Sequence, residues 1–272
     1  MNALSDSPLG HATAYVSVYS PELLFPISRE ENRKSLGIEG KLPFFGVDVW
    51  HAYEISWLDK RGKPKVAMAT FTFDCESPFI IESKSFKLYL VSFNATSFES
   101  LEEVKQVLTR DLSTLVGSHV QVDLRPLGAF KEVHLENLPG RCIDDLEVTC
   151  EVYKPEPSLL SAGNRVVEEQ LHSHLLKSNC PVTGQPDWAS IEIVYQGPEI
   201  NREGLLRYIV SYRDHEEFHE QCVERIFMDV KERCCPTHLQ VWARYTRRGG
   251  LDINPMRSTH PVPYRERRLL RQ

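Results

Sequence analysis

One thiol in a loop-like segment is the first candidate for chemistry. Residues 175–188 read Leu-Leu-Lys-Ser-Asn-Cys-Pro-Val-Thr-Gly-Gln-Pro-Asp-Trp, so Cys180 precedes a carboxylate, Asp187, by seven residues. Two prolines and a glycine predict a rigid loop rather than the interior of a helix or strand. A thiolate is a nucleophile, and a carboxyl group across a turn can donate and accept the proton of the same reaction. The alternative is an ordinary loop cysteine.

A second candidate is the motif His215-Glu216-Glu217-Phe218-His219, which lies on a predicted helix. An H-E-x-x-H helix can hold zinc between two imidazoles, with Glu216 as the general base. His215 falls at the predicted helix start, however, and no spacing marks a third ligand. A metal-free alternative therefore stands beside it, in which His219 moves protons and Glu220 accepts paired N–H donors from a purine-like base.

Two further segments have the residue types that bind phosphate. Residues 82–89, Glu-Ser-Lys-Ser-Phe-Lys-Leu-Tyr, begin a predicted helix, where Ser83, backbone N–H groups and Lys84 favour an anion. Residues 244–250, Arg-Tyr-Thr-Arg-Arg-Gly-Gly, offer arginines followed by bare backbone. The alternatives are a well-capped helix start and a polar hairpin. No G-x-G-x-x-G follows a strand, so a Rossmann unit is not indicated.

An internal repeat predicts how these segments are positioned. Residues 86–93 (Phe-Lys-Leu-Tyr-Leu-Val-Ser-Phe) resemble residues 205–212 (Leu-Leu-Arg-Tyr-Ile-Val-Ser-Tyr), 119 positions later. A helical pattern follows each copy, and we predict helix N-caps at Ser100, in a capping box with Glu103, and at Asp214. Strands are predicted on both sides of the helices, at 47–58, 66–73, 120–124, 165–176, 189–195 and 239–245.

Each half therefore reads as strand, strand, helix, helix, strand. That order predicts an α+β fold with antiparallel sheets and paired helices on one face of each. We predict an N-terminal module over residues 1–126, a linker over 127–161 and a C-terminal module over 162–272.

Composition narrows the class of protein. The chain has 272 residues, of which 41% are hydrophobic, and a net charge of −6, which argues against a protein that coats nucleic acid. Its seven cysteines are an odd number without any C-x-x-C, which disfavours a disulfide framework or a four-cysteine zinc site. With neither a signal peptide nor a membrane span in the sequence, we expect a cytoplasmic protein.

Four segments together resemble one family. They are Ile-Glu-Ser-Lys-Ser-Phe-Lys-Leu-Tyr (81–89), Ser-Asn-Cys-Pro-Val-Thr-Gly-Gln-Pro-Asp-Trp (178–188), Phe-His-Glu-Gln-Cys-Val-Glu-Arg-Ile (218–226) and Tyr-Thr-Arg-Arg-Gly-Gly-Leu-Asp-Ile-Asn-Pro (245–255). In content and order they resemble the two-module NADPH-dependent 7-cyano-7-deazaguanine reductases, the nitrile reductases of queuosine biosynthesis. No motif position departs from that pattern.

The resemblance implies two pseudo-repeated tunnelling-fold modules, usually in a homodimer, acting on the free base without nucleic acid or membrane. It implies Cys180, Asp187 and His219 as catalytic residues, with Cys180 forming a covalent thioimide. The resemblance also implies a substrate site and a cofactor site, and no metal ion in either. The substrate site comprises Ile81, Glu82, Ser83, His219 and Glu220, and the NADPH site comprises Ser83, Lys84, Arg248 and Gly249.

Two alternatives remain open at this point. One is a zinc hydrolase that uses His215, Glu216 and His219. The other is a non-catalytic purine-binding protein of the same fold.

Overall fold

The computed structural model describes residues 15–130 and 132–272. The predicted lack of a signal peptide concerns residues 1–10, which lie outside the described residues. The strands and helices are β1 (Pro26–Ser28), α1 (Glu30–Ser35), β2 (Phe45–Leu58), β3 (Pro64–Asp74), β4 (Phe79–Ile81), α2 (Ser83–Ser92), α3 (Leu101–Val116), β5 (Gln121–Pro126), β6 (Arg141–Cys142), β7 (Ala162–Asn179), β8 (Pro186–Ile200), α4 (Arg202–Val210), α5 (His219–Cys234), β9 (His238–Tyr245) and β10 (Leu251–Ser258).

The described residues divide into two compact units. Unit 1 comprises 15–37, 49–133 without residue 131, and 247–252, whereas unit 2 comprises 38–48, 134–246 and 253–272. Each unit contains antiparallel strands and a pair of longer helices, so the predicted α+β class with two repeated modules is confirmed. The predicted boundaries at 126 and 161 concern the repeat and stay a prediction.

In unit 1 the sheet has the order β5-β3-β2. Burial alternates along β3, which turns Ala67, Ala69, Phe71 and Phe73 towards the core. The ring of Phe86 on α2 packs edge-on against Phe71 at a centroid distance of 5.1 Å. Helix α2 therefore covers the apolar face of this sheet, as the sequence pattern predicts.

Helix α3 follows its sequence pattern closely. It buries Val104, Leu108, Leu112 and Val116 along one stripe. The predicted N-cap is confirmed, because the Ser100 hydroxyl accepts the backbone N–H of Glu103 at 3.1 Å. Gly117, with a φ of 70°, ends the helix in the left-handed conformation.

In unit 2 the strands follow the order β10-β9-β8-β7-β6. Strands β7 and β8 form an antiparallel hairpin of 18 and 15 residues, longer than the pattern predicts at both ends. The two-residue strand β6 pairs with β7 in parallel, and Cys142 lies opposite His172. This strand lies in the segment predicted as a linker.

Different elements cover the two faces of the unit 2 sheet. On the face that contains Ala189 and Tyr245, helix α5 packs, and the ring of His219 meets that of Tyr245 at 4.1 Å. On the opposite face the C-terminal segment lies across the strands, where Arg267 pairs with Glu192 and Arg271 donates to the Ser190 hydroxyl. The sequence does not predict this second cover.

Unit 2 also buries a charged cluster. The fully buried guanidinium of Arg257 pairs with Asp48 at 2.7 Å and with Glu224 at 2.9 Å. A buried cation with two carboxylate partners keeps its hydrogen bonds satisfied, whereas removing one partner would leave charge uncompensated. The cluster therefore ties β10 to α5.

The prediction of Asp214 as the N-cap of α5 is wrong. Asp214 ends a 3₁₀ turn, and the chain then continues extended alongside the end of β7 before the helix begins at His219. Asn179 fixes this path, because its N–H donates to His215 at 2.8 Å and its carbonyl accepts from Glu217 at 3.1 Å. Phe218 is the N-cap, and its N–H donates to the Gln221 side chain.

Among the helices of the described residues, none combines the length and the apolar character that a membrane crossing needs.

Candidate active site

Cys180 lies at the tip of the β7–β8 hairpin, not in a long loop. Its N–H donates to the Gln185 carbonyl at 2.9 Å, and its own carbonyl accepts the N–H of Gly184 at the same distance. Gly184 has a φ of 65°, which a side chain would disfavour. The turn thus holds the thiol in place, and Cys180 is only 4% exposed.

Asp187 is the second residue of β8, where it lies opposite Ser178. Its carboxylate is buried and lies 3.6 Å from Nε2 of His219, the first residue of α5. The imidazole is itself only 12% exposed. The structure therefore brings two of the three predicted catalytic side chains into direct contact, at the same end of the hairpin as the third.

A buried polar layer lies behind this pair. The Tyr245 ring meets the His219 ring edge-on, and the Tyr245 hydroxyl lies near Cys222 and Ser178. Burial raises the pKa of the Cys222 thiol and the pKa of the Tyr245 phenol, so both groups are neutral near pH 7. Tyr245 thus fixes the orientation of His219 without adding charge.

Glu220 lies in the first turn of α5 and is 2% exposed. An acidic residue at this position interacts favourably with the positive end of the helix dipole. A buried carboxylate beside His219 has the acceptor oxygens that a pair of N–H donors requires.

The two histidines of the H-E-x-x-H motif have different partners. Nε2 of His215 contacts Glu217 at 2.8 Å, and both oxygens of Glu217 accept from Arg225. His219 instead faces Asp187. Residues 215–218 precede the helix, so the premise that both histidines lie on one helical face is wrong.

In unit 1, Glu82 is the N-cap of α2. Its two oxygens accept the N–H groups of Lys84 and Ser85, each at 2.7 Å, and the residue is fully buried. Burial raises the pKa of Glu82, although both hydrogen bonds and the nearby lysines oppose that shift. Ile81, also buried, is the last residue of β4. Two backbone donors of this helix start are thus already bound to protein.

A glycine turn lies against the Lys87 side chain of α2. The N–H of Arg248 donates to the Leu251 carbonyl at 2.8 Å, and Gly249 between them has a φ of 59°. A Cβ at Gly249 would lie 3.1 Å from Cδ of Lys87, one helical turn beyond Ser83. The turn of Arg248 and Gly249 thus lies beside α2, the helix that begins with Ser83 and Lys84.

Several polar residues in this region were not predicted from the sequence. Lys87 is the first, and Arg247 is another, with its guanidinium 4.2 Å from the ring centre of Tyr53. The buried Asp252 binds Nδ1 of His51 at 2.6 Å and accepts from the Tyr53 hydroxyl. The charge of Lys87 was visible in the sequence, but its contact with a turn more than 160 residues away was not.

The predicted site residues thus form two sets. Cys180, Asp187, His219 and Glu220 belong to unit 2, whereas Ile81, Glu82, Ser83, Lys84, Arg248 and Gly249 belong to unit 1.

Comparison with known families agrees with this pattern of residues. A family model described as the N-terminal part of a nitrile reductase, the 7-cyano-7-deazaguanine reductase, matches residues 15–124. A second, described as a QueF-like protein, matches residues 186–263. Among solved structures, the apo form of the archaeosine synthase QueF-Like covers 36% of this chain and 96% of its own, with 21% identity and a TM-score of 0.31.

Curated relatives are similar over nearly the whole chain. The protein of Burkholderia multivorans (strain ATCC 17616 / 249) named NADPH-dependent 7-cyano-7-deazaguanine reductase is 56% identical over 259 residues, which cover 94% of each chain. Proteins of the same name from Azoarcus sp. (strain BH72) and Bordetella avium (strain 197N) are also 56% identical, over 93% and 94% of this chain and 90% and 94% of their own. The chain belongs to the 7-cyano-7-deazaguanine reductase family.

Proposed function

We propose that this protein reduces the nitrile of 7-cyano-7-deazaguanine to the aminomethyl group, with NADPH as the reductant, in queuosine biosynthesis. The observation that carries the proposal is the buried cysteine at a tight hairpin end, together with an Asp187–His219 pair at the same end. Family membership at 56% identity supports the substrate and the cofactor.

The first step is addition of the thiol. A bond forms between Sγ of Cys180 and the nitrile carbon, the C≡N triple bond becomes a C=N double bond, and the nitrogen takes a proton from Asp187. The thiol proton leaves through His219, which lies 3.6 Å from Asp187 and can return it there. A nitrile is a poor hydride acceptor, so the thioimide divides one difficult reduction into easier steps.

The charges and backbone of unit 1 support a role for this unit in binding NADPH. Lys87 and Arg248 supply positive charge at a turn of two glycines with left-handed φ, and Lys84 adds charge at the start of α2, a donor set suited to phosphate groups. We propose that Ser83, Lys84, Arg248 and Gly249 hold NADPH, with Lys87 added to that set. When bound, NADPH supplies the hydrides, two for each nitrile converted to an amine.

The base is held by carboxylates and by a histidine. Glu220 accepts its paired N–H donors, while Ile81, Glu82, Ser83 and His219 complete the site. A carboxylate has about four lone-pair positions, so Glu82 retains acceptor capacity beyond the two bonds that cap α2. Water must be kept from the imine that forms between the two reductions. The low exposure of Asp187 and Glu220 in unit 2 supports such a closed site.

The decisive experiment mixes the purified protein with 7-cyano-7-deazaguanine and follows NADPH absorbance. We expect two NADPH oxidised per base, and a mass increase of one base on the protein when NADPH is omitted. Binding of the base without oxidation would favour the non-catalytic purine-binding alternative. Stoichiometric zinc held by His215 and His219 would favour the hydrolase alternative.

We further propose a cytoplasmic homodimer that acts on the free base rather than on tRNA. Seven free cysteines support a reducing compartment. Sedimentation should give a mass near twice 31.3 kDa, and added tRNA should leave the rate with the free base unchanged.

A further inference from the structure

We propose a metal site on the face of the unit 2 sheet opposite α5, formed by Cys142, His172 and His174, for a divalent ion of borderline softness such as zinc. One ligand atom from each of these residues lies within 4.8 Å of the others. Thiolate and imidazole together are the donors that zinc prefers in proteins. None of these residues takes part in the proposed reduction.

Strand register brings the three side chains together. Cys142 of β6 lies directly opposite His172 of β7, and His174 is two residues further along the same strand. Side chains at alternate positions share a face, so all three project from the side where the C-terminal segment lies. That face is distinct from the one that contains Asp187 and Tyr245.

Both histidines form a hydrogen bond through Nδ1, which leaves Nε2 as the ring nitrogen that can bind a metal. Nδ1 of His172 lies 3.0 Å from the Pro139 carbonyl, which can only accept, so this nitrogen carries the proton. The lone pair of neutral His172 is therefore on Nε2. Nδ1 of His174 likewise binds the Ser190 hydroxyl at 2.8 Å. An outer partner that holds the far ring nitrogen is the usual arrangement of a metal-binding histidine.

A carboxylate lies beside the three proposed ligands. Oδ2 of Asp144 accepts the backbone N–H of His174 at 2.9 Å, which directs the carboxylate onto the site, and Asp144 also interacts with the Cys142 thiol. Its other oxygen, Oδ1, is buried and accepts no N–H or O–H donor among the described residues. This carboxylate lies outside the set of ligand atoms that are within 4.8 Å of one another, so water is the fourth ligand of a tetrahedral ion and Asp144 is an outer partner of the site.

The distances are compatible with a tetrahedral ion. Zinc lies about 2.3 Å from sulfur and about 2.0 Å from nitrogen, so its ligand atoms are roughly 3.3–3.8 Å apart. Cys142 and His174 are exposed, so their side chains can close the remaining gap by small rotations. Metal binding releases the thiol proton to solvent.

A second group of potential ligands lacks these properties. His215, Glu217 and Cys222 also lie within 4.8 Å of one another. Both oxygens of Glu217 already accept from Arg225, and one also contacts His215. A cation there would have to displace an internal ion pair, whereas none of the three residues of the Cys142 site forms an ion pair among the described residues, and the nearby Arg271 guanidinium binds the His174 carbonyl and the Ser190 hydroxyl.

The site would fix a segment that has little regular structure. Cys142 belongs to a strand of only two residues, whereas His172 and His174 belong to the long hairpin strand β7. A metal bridge between them would pin this segment to the sheet, which gives the ion a structural role rather than a catalytic one.

The test uses Co²⁺ as a spectroscopic probe of the chelator-treated full-length protein. A thiolate ligand gives cobalt a near-ultraviolet charge-transfer band that an oxygen or nitrogen site lacks. We expect one equivalent of Co²⁺ to produce this band, Zn²⁺ to abolish it, and Zn²⁺ to raise the thermal unfolding midpoint. In C142S the band should disappear, and in H174Q, which retains the thiol, Co²⁺ affinity should fall at least tenfold.

Two matched variants serve as controls. Cys235→Ser removes another exposed cysteine, and Cys180→Ala removes the thiol proposed for the reduction. Both should keep the band. A band that survives in C142S, or that disappears in C180A, would place the metal elsewhere and overturn the proposal, as would the absence of any band in the unaltered protein. Circular dichroism checks that each variant is folded.

Discussion

The starts of helices α2 and α4 occupy equivalent places in the internal repeat, and one side chain caps each in the same way. Glu82 accepts the N–H groups of Lys84 and Ser85, and Asn201 accepts those of Glu203 and Gly204. The geometry is shared, but the chemistry is not: Glu82 is fully buried, whereas Asn201 is exposed. Both units therefore have a side-chain cap at this helix start, but only unit 1 has a buried carboxylate there.

The charges that surround these two helix starts also differ. Lys84 and Lys87 lie beside Glu82 and lower its pKa against the effect of burial. At the other start, Nε of Arg202 donates to Glu169 at 2.9 Å, and its guanidinium also pairs with Glu199. One helix start thus keeps its cations together near a glycine turn, whereas the other binds its cation to carboxylates.

The starts of α3 and α5, the second helix of each unit, differ in the opposite sense: the buried polar groups are in unit 2. In unit 1, α3 begins with exposed polar residues around Ser100, as an ordinary surface helix does. In unit 2, α5 begins with the buried pair His219 and Glu220. Each unit therefore buries polar groups at one helix start, and the two starts are not equivalent in the repeat. The proposed function places bond formation in unit 2 and cofactor binding in unit 1, and variants can test the two roles separately.

Removing the thiol should give the largest effect. We expect Cys180→Ala to lower turnover roughly 10⁴-fold or more, because loss of a nucleophile removes the covalent route. Mass spectrometry should find no adduct with the base. Cys150→Ser is the control for loss of a cysteine and should form the adduct normally; an adduct on the C180A protein would assign the chemistry to another residue.

Replacing one histidine at a time should show whether His219 or His215 takes part in the reaction. His219→Gln should reduce turnover roughly 100-fold, since a positioned proton-transfer group contributes about 10²–10⁴. His215→Gln should change turnover less than twofold, because His215 contacts Glu217 rather than Asp187. Steady-state rates of both variants decide the matter. Equal losses would contradict the division of the motif and revive the zinc alternative.

Lys87, which was not predicted from the sequence as a site residue, offers a test of unit 1 alone. Lys87→Met should raise the KM for NADPH about tenfold, equivalent to about 1.4 kcal/mol, because one positive charge near the glycine turn is lost. Adduct formation by Cys180 in the absence of NADPH should be unchanged. Lys60→Met, at an exposed lysine paired with Glu99, is the matched control. A slower adduct in K87M would refute the assignment to the cofactor alone.

The two helix caps should differ in the pH dependence of stability. Glu82→Gln should cost about 1 kcal/mol near pH 4.5, since one accepted N–H bond is lost. Because the folded pKa of Glu82 is raised above 4.5, the folded state binds more protons than the unfolded state, and the native protein loses stability as pH rises through that window.

The cost of Glu82→Gln should therefore shrink at higher pH, whereas the cost of Asn201→Ala, also about 1 kcal/mol, should not vary. Urea unfolding at several pH values measures both. A cost of Glu82→Gln that grows with pH would show that the helix prefers the ionised carboxylate.

Local patterns predicted much of the fold, but not the long-range contacts. The apolar spacing along α3 and the cap at Ser100 were correct because both depend on residues within one helix. Asp214 was wrong as a cap because Asn179, 35 residues earlier in the chain, holds 215–217 extended. Strands β7 and β8 exceed their predicted lengths because residues outside the alternating apolar pattern, such as Ser178 and Asp187, are still paired across the hairpin.

The candidate site shows the same limit. Cys180, Asp187, His219 and Glu220 could be found because each lies in a short motif. Lys87 and the Cys142 cluster could not, since Cys142 precedes His172 by 30 positions and only the register of β6 against β7 places them together. No spacing rule covers a metal site whose ligands come from paired strands in this way.

The length of the turn between Asn179 and Pro186 also determines which face of the sheet the Asp187 side chain occupies. Side chains alternate between the two faces of a strand, so a single-residue insertion or deletion that shifted the register of β8 would move Asp187 to the opposite face and separate it from His219. Substitutions that keep the length of the turn leave this register in place. We therefore expect a one-residue insertion or deletion between Asn179 and Pro186 to abolish the contact between Asp187 and His219, whereas a substitution at the exposed Thr183 should keep it.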